Sequence, residues 1–348
     1  MGKNIPEGRT YYFDSLRVVA CFSVMILHVA ADNWLATGVQ SFEWQVFNIY
    51  DSLVRFGVPV FVMISGALFL KPDKDIPIKK LYSKYIFRIV VAFVFWSFIY
   101  AAINYMNTGD MISAAYNFLK GHYHLWFLFM IIGLYMIVPF VKMIAESEYL
   151  TKYFLVLVLI FALFLPECSD IISVFSEKWA DLFQSILSHN FYVHFPVGYT
   201  GYFLLGYVLD RADISHKLER MIYLAGIIGA GMTILMTSYA SFLKNEPQTF
   251  FYNDLSVNVL LESMAMFVFF KQHCNHESSV IVRKLSQYSF GAYLVHPAVM
   301  FSLEKLGLNT LTFNPVFSVP AITAIMFVVS FMLSAVLNHI PVVKKYIV

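Results

Sequence analysis

Two ionisable residues, Arg17 and His28, lie eleven positions apart in the first apolar run of the chain. Eleven residues make roughly three turns of an α-helix, so both side chains project from one face. At ~1.5 Å per residue they are roughly 16 Å apart, about half the thickness of a bilayer core. Ionisable groups inside spanning helices usually face a bundle interior, a water-filled path or a substrate. The pair therefore predicts a route from one membrane face to the middle of the bilayer.

The residues around this pair leave alternatives open. His28 is either a functional imidazole or a core histidine bonded to a neighbouring helix. Asp32, one turn later on the same face, either holds that imidazole in one tautomer, as in nucleophile-activating dyads, or is solvated at the helix end. Asp14, three residues before Arg17, suggests an ion pair at the membrane surface. Arg17 alternatively binds a phosphate through its guanidinium fork or serves only to set topology.

A cluster of histidine and aromatic residues opens the fourth apolar run, with His122, His124 and Trp126. Two histidines at i and i+2 do not share a helix face, and no carboxylate or cysteine is near, so no metal site is expected. The composition favours a grip on a sugar or a polar headgroup. Trp126 also fits the aromatic belt at a membrane interface, which accounts less well for His124.

Four ionisable or aromatic residues in other apolar runs are also candidates for a site. Arg55 is near the outer end of the second run. Glu262 lies midway along the eighth run, so it is expected to pair with a base or to face a polar cavity. Tyr293 and His296 precede Pro297 in the ninth run, and a proline-kinked helix with a polar face commonly lines a cavity. All four are predicted to bind a polar substrate.

A basic cluster precedes the third apolar run and comprises Lys79, Lys80, Lys84 and Arg88. The enrichment of basic residues on the cytoplasmic side, with attraction to anionic membrane lipid, accounts for most of it. Lys84 and Arg88 are four residues apart, so they share a helix face. These two side chains are therefore also candidates to receive a phosphorylated ligand.

The composition excludes a soluble protein. The 348 residues are 59% hydrophobic and only 13% charged, with a mean hydropathy of +0.67, whereas a soluble domain carries about a quarter charged residues. We therefore predict an all-α, polytopic membrane protein. The net charge of +2 gives no reason to expect a nucleic-acid partner, and the three scattered cysteines indicate neither a disulfide framework nor a zinc site. No cleavage site follows the first apolar run, so no cleavable signal peptide is expected.

Ten apolar runs have roughly the length needed to span a membrane. They lie near 15–34, 52–70, 84–106, 123–144, 152–166, 196–211, 220–243, 256–272, 286–304 and 316–338. With the N-terminus inside, alternation leaves 19 of the 24 lysines and arginines on the cytoplasmic side and only five outside: Arg55, Lys120, Lys178, Lys244 and Lys305. Because basic residues are enriched in cytoplasmic loops, this split predicts ten spans with both termini cytoplasmic.

The chain is expected to form one domain, residues 1–348, because neither a flexible linker nor a repeat of fixed period divides it. The longest outer segment, about 167–195, mixes acidic residues with Trp179, Phe183 and Phe191. It is predicted to pack as a short amphipathic helix on the outer face. Such a helix either shapes a binding site as a lid or is only a surface connection.

Several short motifs together resemble acyltransferase family 3, a family of membrane proteins. Its opening motif is Asp-x-x-Arg and then, after ten further residues, His, and it is matched by Asp14, Arg17 and His28. Four other segments follow in order: Val-Pro-Val-Phe to Ser-Gly at 58–66, HLWFL at 124–128, GYFLLGYVL at 201–209 and YSFGAYLVHP at 288–297. The resemblance covers essentially the whole chain. One difference precedes the third run, where the family often has Arg-x-x-Arg and this chain has Tyr85 and Arg88.

The resemblance implies transfer of an acyl group, usually acetyl, from cytoplasmic acyl-CoA to a hydroxyl of an extracytoplasmic or lipid-linked carbohydrate, at a bacterial cytoplasmic membrane. It implies catalytic roles for Arg17 and His28. Taken with the basic cluster before the third run, it leads us to expect that Arg17, Lys84 and Arg88 contact the CoA phosphates. The alternative is a proton-coupled transporter or exporter of a polar or lipid-linked solute, with the buried histidines and Glu262 as a proton relay. The sequence identifies neither the acceptor nor the oligomeric state, and it is compatible with a homo-oligomer.

Overall fold

A computed structural model describes residues 10–185 and 194–348, and all regular secondary structure within these ranges is helical. The α-helices are α1 (Tyr12–Ala31), α2 (Phe42–Ser52), α3 (Gly57–Phe69), α4 (Ile78–Lys80), α5 (Phe87–Thr108), α6 (Met111–Lys120), α7 (Trp126–Ala145), α8 (Glu148–Leu157), α9 (Leu165–Phe175), α10 (Glu177–Ser185), α11 (His194–Arg211), α12 (His216–Lys244), α13 (Val257–His273), α14 (Val280–Lys305), α15 (Pro315–His339) and α16 (Pro341–Tyr346). Short π-helical segments precede α5 and join α8 to α9.

Eight helical segments in the described part of the chain are long and apolar enough to cross a membrane. They are Tyr12–Ala31, Phe42–Phe69, Ile78–Thr108, Met111–Ala145, Glu148–Phe175, His216–Lys244, Phe250–His273 and Pro315–His339. The prediction of an all-α, polytopic membrane protein is therefore confirmed. The number of ten spans and the cytoplasmic side of both termini stay predictions.

The other two predicted spans, 196–211 and 286–304, correspond to α11 and α14, which pack inside the bundle. Helix α14 lies against α1 and α15, and α11 lies against α3. Every residue of 291–297 in α14 is buried. Since protein rather than lipid surrounds this stretch, it tolerates the polar residues that lower its hydropathy.

The second predicted span, 52–70, begins with a break in the structure. Helix α2 ends at Ser52 and α3 begins at Gly57, so α3 has only 13 residues and is roughly 20 Å long. Arg55 lies in the break. Its guanidinium Nη2 is 2.5 Å from Oδ2 of Asp51, in the last turn of α2. The two helices therefore meet at a buried ion pair.

The predicted outer segment 167–195 divides between two helices. Its first part belongs to α9, which continues the fifth predicted span to Phe175, and α10 follows after one residue. Glu177 of α10 accepts a hydrogen bond of 2.7 Å from Lys244, and Trp179 is exposed. Residues 186–193, which include Phe191, lie outside the described residues.

Two glycines allow the backbones of α3 and α11 to touch. A Cβ atom at Gly66 would overlap the carbonyl group of Phe203, and one at Gly206 would overlap that of Met63. Small residues at such crossings are the usual means of close helix packing in membranes. Helix α3 also packs on α1, the helix that carries Arg17 and His28. Helix α1 contacts α14 and α15 as well.

Candidate active site

Helix α1 carries Arg17 and His28 into two different surroundings. Nη1 of Arg17 lies 4.0 Å from Oδ1 of Asp14, as the spacing predicts, and the Arg17 side chain is 30% exposed. The ring of His28 instead faces aromatic side chains of other elements. It stacks on His296 of α14, with 5.0 Å between centroids and 20° between planes, and meets Tyr123 edge-on at 5.2 Å.

Four imidazoles from three elements form one group, which we call the histidine cluster: His28, His122, His124 and His296. His122 and His124 precede α7, where residues Tyr123–Leu125 form a 3₁₀ turn. Their Nδ1 atoms are 2.9 Å apart, so one nitrogen carries the hydrogen and the other accepts it. The centroid of His124 lies 5.4 Å from that of His296. The 3₁₀ turn therefore joins rings that a regular helix would hold apart.

Two buried nitrogens of the cluster have no hydrogen-bond partner among the described residues. They are Nε2 of His124 and Nε2 of His296, and both side chains are buried. A buried polar atom left unpaired costs about 1–3 kcal/mol. Two such atoms in adjacent rings mark a place where the hydroxyl groups of a ligand would gain hydrogen bonds.

A cavity of about 470 Å³ opens on the predicted cytoplasmic side of α1 and is lined there by four basic residues: Arg17, Lys74, Lys84 and Arg88. No acidic side chain is among its described lining residues. Burial, with repulsion from Lys71, lowers the pKa of Lys74, which lies in the loop after α3. An anion bound in this mouth would relieve that repulsion. Arg88 also donates a hydrogen bond of 2.5 Å to Val348, the last residue of the sequence.

The deep end of this cavity lies beside the histidine cluster, although none of the four imidazoles is among its described lining residues. Its lining includes Val24, one turn before His28, and also Phe127 and Tyr293. The Tyr293 ring contacts that of His124, with 5.4 Å between centroids, and its hydroxyl donates to the His124 carbonyl oxygen. Tyr293 therefore lines the cavity and also contacts the histidine cluster. The cavity thus extends from the basic mouth to Tyr293, whose ring separates it from the imidazole of His124.

The orientation of His28 by Asp32 stays a prediction, and the contacts of Asp32 in the structure are with other residues. Among the residues that the structure describes, no hydrogen bond joins these two side chains. Asp32 follows the last residue of α1, and its Oδ2 accepts a hydrogen bond of 3.2 Å from Asn33. Its carboxyl group also faces Glu304 of α14. These neighbours hold Asp32, and the ring of His28 turns towards His296.

Arg55 lies in a second polar group, which we call the outer network: Asp51, Arg55, Tyr252 and Asn48. Besides the ion pair with Asp51, the Arg55 guanidinium lies 3.9 Å from the centroid of the Tyr252 ring and donates to the Tyr252 carbonyl at 3.0 Å. The Tyr252 hydroxyl donates to Oδ1 of Asn48. Arg55 is thus held within the protein, which does not favour the predicted role in binding a substrate.

The other predicted binding residues are distributed unevenly. Glu262 is buried in α13 and accepts a hydrogen bond of 2.9 Å from Thr233 of α12, so it lies between helices and outside the histidine cluster. Its other oxygen has no partner in the described part of the chain. Trp126 is 42% exposed and packs on Tyr199, with 5.8 Å between centroids. Of the predicted set, His124, Tyr293 and His296 contact one another in the described structure, and His296 also stacks on the ring of His28.

Two residues of the site escape prediction from the sequence. Tyr100 of α5 stacks on His122, with centroids 4.3 Å apart, and its hydroxyl donates to the Leu294 carbonyl at 2.7 Å. A tyrosine in an apolar run carries no signal of such a role. Lys74 lines the cavity mouth, and its position in a basic loop before the Lys84 cluster is a signal that could have identified it.

Similarity to known proteins identifies the family of this chain. A family model described as an acyltransferase domain of acyltransferase family 3 matches residues 10–337, nearly the whole chain. The chain has no match among curated proteins or among solved structures. The matched range includes Arg17, the basic mouth and all four imidazoles of the histidine cluster. The chain therefore belongs to acyltransferase family 3 and is a membrane acyltransferase.

Proposed function

We propose that this membrane acyltransferase moves an acyl group, in particular acetyl, from cytoplasmic acyl-CoA to a hydroxyl of an extracytoplasmic or lipid-linked carbohydrate. The single observation that carries the proposal is the cavity of about 470 Å³. It extends from four basic side chains to Tyr293, whose ring contacts His124 of the histidine cluster. Its size falls within the ~300–1,000 Å³ common for small-molecule sites.

The basic mouth supports a phosphorylated donor. Arginine forks bind phosphate oxygens in a bidentate manner, and lysines bind them as point charges. Arg17, Lys84 and Arg88 are proposed to hold the phosphates of CoA, with Lys74 beside them. His28 is roughly 16 Å further along α1. An extended pantetheine arm along the cavity would bring the thioester towards that imidazole.

The proposed chemistry uses His28 as general base. Its imidazole takes the proton of the acceptor hydroxyl, the hydroxyl oxygen bonds to the acyl carbon, and the carbon–sulfur bond breaks. The imidazolium then returns the proton to the departing thiolate, so an ester and free CoA are formed. The alternative is that His28 first carries the acyl group on nitrogen and then passes it to the hydroxyl. Both routes place the reacting carbon at His28.

The deep end of the site supports an acceptor that is rich in hydroxyl groups. The unpaired Nε2 atoms of His124 and His296 would accept hydrogen bonds from such groups. Trp126, two residues after His124, offers an exposed aromatic ring that packs on the half-buried Tyr199. Aromatic faces of this kind suit the apolar face of a sugar ring. These features favour a carbohydrate over a purely apolar alcohol.

The test is an assay of purified protein in lipid nanodiscs with labelled acetyl-CoA and a membrane glycolipid extract. We expect label in the glycolipid fraction and release of one CoA for each ester formed. A proton-coupled transporter would neither cleave the thioester nor label the extract. Mass spectrometry of surface glycans with and without the protein would then identify the acceptor. A folded preparation that binds acetyl-CoA but cleaves no thioester in the presence of the extract would contradict the proposal.

A further inference from the structure

The ninth predicted span, which corresponds to α14, contains a proline that removes one backbone hydrogen bond of the helix. Pro297 lies inside α14 and has no amide hydrogen. In an α-helix the amide of residue i donates to the carbonyl of residue i−4. Pro297 therefore leaves the carbonyl oxygen of Tyr293 without its helical hydrogen bond. In spanning helices such carbonyls are usually satisfied by side chains or by neighbouring helices.

The side chain that satisfies this carbonyl is His296. Its Nδ1 lies 2.5 Å from the Tyr293 carbonyl oxygen. A carbonyl oxygen only accepts hydrogen bonds, so Nδ1 must carry the hydrogen. In the neutral ring this leaves Nε2 unprotonated. That nitrogen is buried and has no partner in the described part of the chain, and the ring stacks on His28 at 5.0 Å.

We propose that Pro297 is a positioning residue that holds His296 in the Nδ1–H tautomer, so that the bare Nε2 accepts a hydrogen bond from a second hydroxyl of the carbohydrate while His28 acts on the first. The inference rests on the proposed function. A sugar offers neighbouring hydroxyls, and two adjacent imidazoles suit two of them. His296 thereby selects and orients the acceptor, and it takes no part in cleaving the thioester.

The same device occurs at a second place in this chain. Pro320 lies inside α15 and leaves the carbonyl of Val316 free. There the Tyr50 hydroxyl donates to that carbonyl at 2.8 Å. Tyr50 contacts none of the rings of the histidine cluster described above. Pro320→Ala is therefore a matched control, because it restores an amide hydrogen in a helix but changes nothing at the site.

The first experiment measures the tautomer directly, without any acyl transfer. Protein labelled with ¹³C and ¹⁵N histidine is studied by solid-state NMR, and the His296 signal is identified by its loss in His296→Gln. We expect Nδ1–H in the wild type and in Pro320→Ala, and a shift to Nε2–H in Pro297→Ala. Replacing Pro297 with lactic acid forms an ester without the amide hydrogen, so Nδ1–H should be retained. An Nε2–H signal in the wild type would overturn the proposal.

The second experiment separates the two substrates. Pro297→Ala should lower kcat/KM for the glycolipid extract by about 3- to 10-fold, as expected for one lost neutral hydrogen bond. The KM for acetyl-CoA and the slow hydrolysis of acetyl-CoA in the absence of extract should not change. The ester variant should recover the transfer rate. A parallel fall in hydrolysis and transfer would show a merely structural role. Failure of the wild type to transfer label would count against the proposed function, and the tautomer would still decide the role of Pro297.

Discussion

The basic mouth of the cavity and the outer network both hold arginine in a membrane protein, and they differ in what surrounds the charge. In the outer network, Arg55 is only 14% exposed and has Asp51 at 2.5 Å and the Tyr252 ring at 3.9 Å. In the mouth, Lys84 and Arg88 are exposed and line an open cavity that has no acid in its described lining. The charge of Arg55 is neutralised by Asp51, whereas the mouth brings together four basic side chains, of which Arg17 lies 4.0 Å from Asp14.

This difference separates a structural charge from one that awaits a ligand. A buried ion pair is stable only while both partners remain, because either charge alone is strongly disfavoured inside a protein. Several cations around one cavity repel each other, and they are stabilised when an anion enters. We therefore interpret Arg55 as part of the fold and propose the basic mouth as the donor site. The histidine cluster lies next to Tyr293, at the deep end of the cavity.

The largest expected effect is on the chemistry at the deep end of this cavity. His28→Ala should lower acyl transfer by about 10²- to 10⁴-fold, the range that general acid–base catalysis supplies. The variant should still insert and fold, because His28 makes only ring contacts in the described structure. The matched control is His339→Ala, which removes an exposed histidine at the end of α15. Labelled acetyl-CoA and the glycolipid extract provide the measurement, and a fully active His28→Ala protein would refute the assignment.

The outer network should respond in stability and not in chemistry. Arg55→Met leaves Asp51 buried without its partner, which should destabilise the protein by about 3–5 kcal/mol. Thermal unfolding in detergent would show a large fall in Tm. Lys152→Met is the control, since Lys152 pairs with Glu148 at an exposed site where little stability is at stake. An Arg55→Met protein with normal Tm and a raised acceptor KM would restore the predicted role in substrate binding.

The basic mouth should respond in donor affinity. Lys84→Gln should raise the KM for acetyl-CoA by about 2- to 5-fold with little change in kcat, because an exposed charge contributes only ~0.2–1 kcal/mol. The effect should shrink as salt is added, since salt screens exposed charges. Lys217→Gln, another exposed lysine on the predicted cytoplasmic side, is the control. An equal effect of both substitutions would contradict a specific donor site.

The smallest effect concerns Asp32, for which burial and the neighbouring Glu304 raise the pKa to about 7. A carboxyl group with a raised pKa binds more protons in the folded than in the unfolded state between about pH 4 and 7. Stability should therefore fall as pH rises through this window and level off above it. Asp32→Asn should remove this dependence and raise Tm at pH 8 slightly, but not at pH 4. A large loss of kcat in this variant would support the orienting role predicted from sequence.

The sequence was sufficient for some of these features because they depend on one helix. The spacing of Arg17 and His28 fixes their shared face, and the apolar runs fix the class of fold. The partners of His28 depend on how α14 and the turn before α7 pack on α1, which no local pattern contains. Asp32 shows the converse case. The sequence places Asp32 on the same helix face as His28, but contacts with Asn33 and Glu304 decide where its carboxyl group lies.

The most direct test of the account asks from which side the donor enters. Protein is reconstituted in one orientation, established by protease access to a C-terminal tag, and labelled acetyl-CoA is supplied to one face of the vesicles at a time. We predict transfer to the glycolipid only when acetyl-CoA is on the face that carries Lys84 and Arg88, and loss of that transfer in His28→Ala. Equal transfer from both faces, or transfer only from the opposite face, would contradict a path from the basic mouth to the histidine cluster.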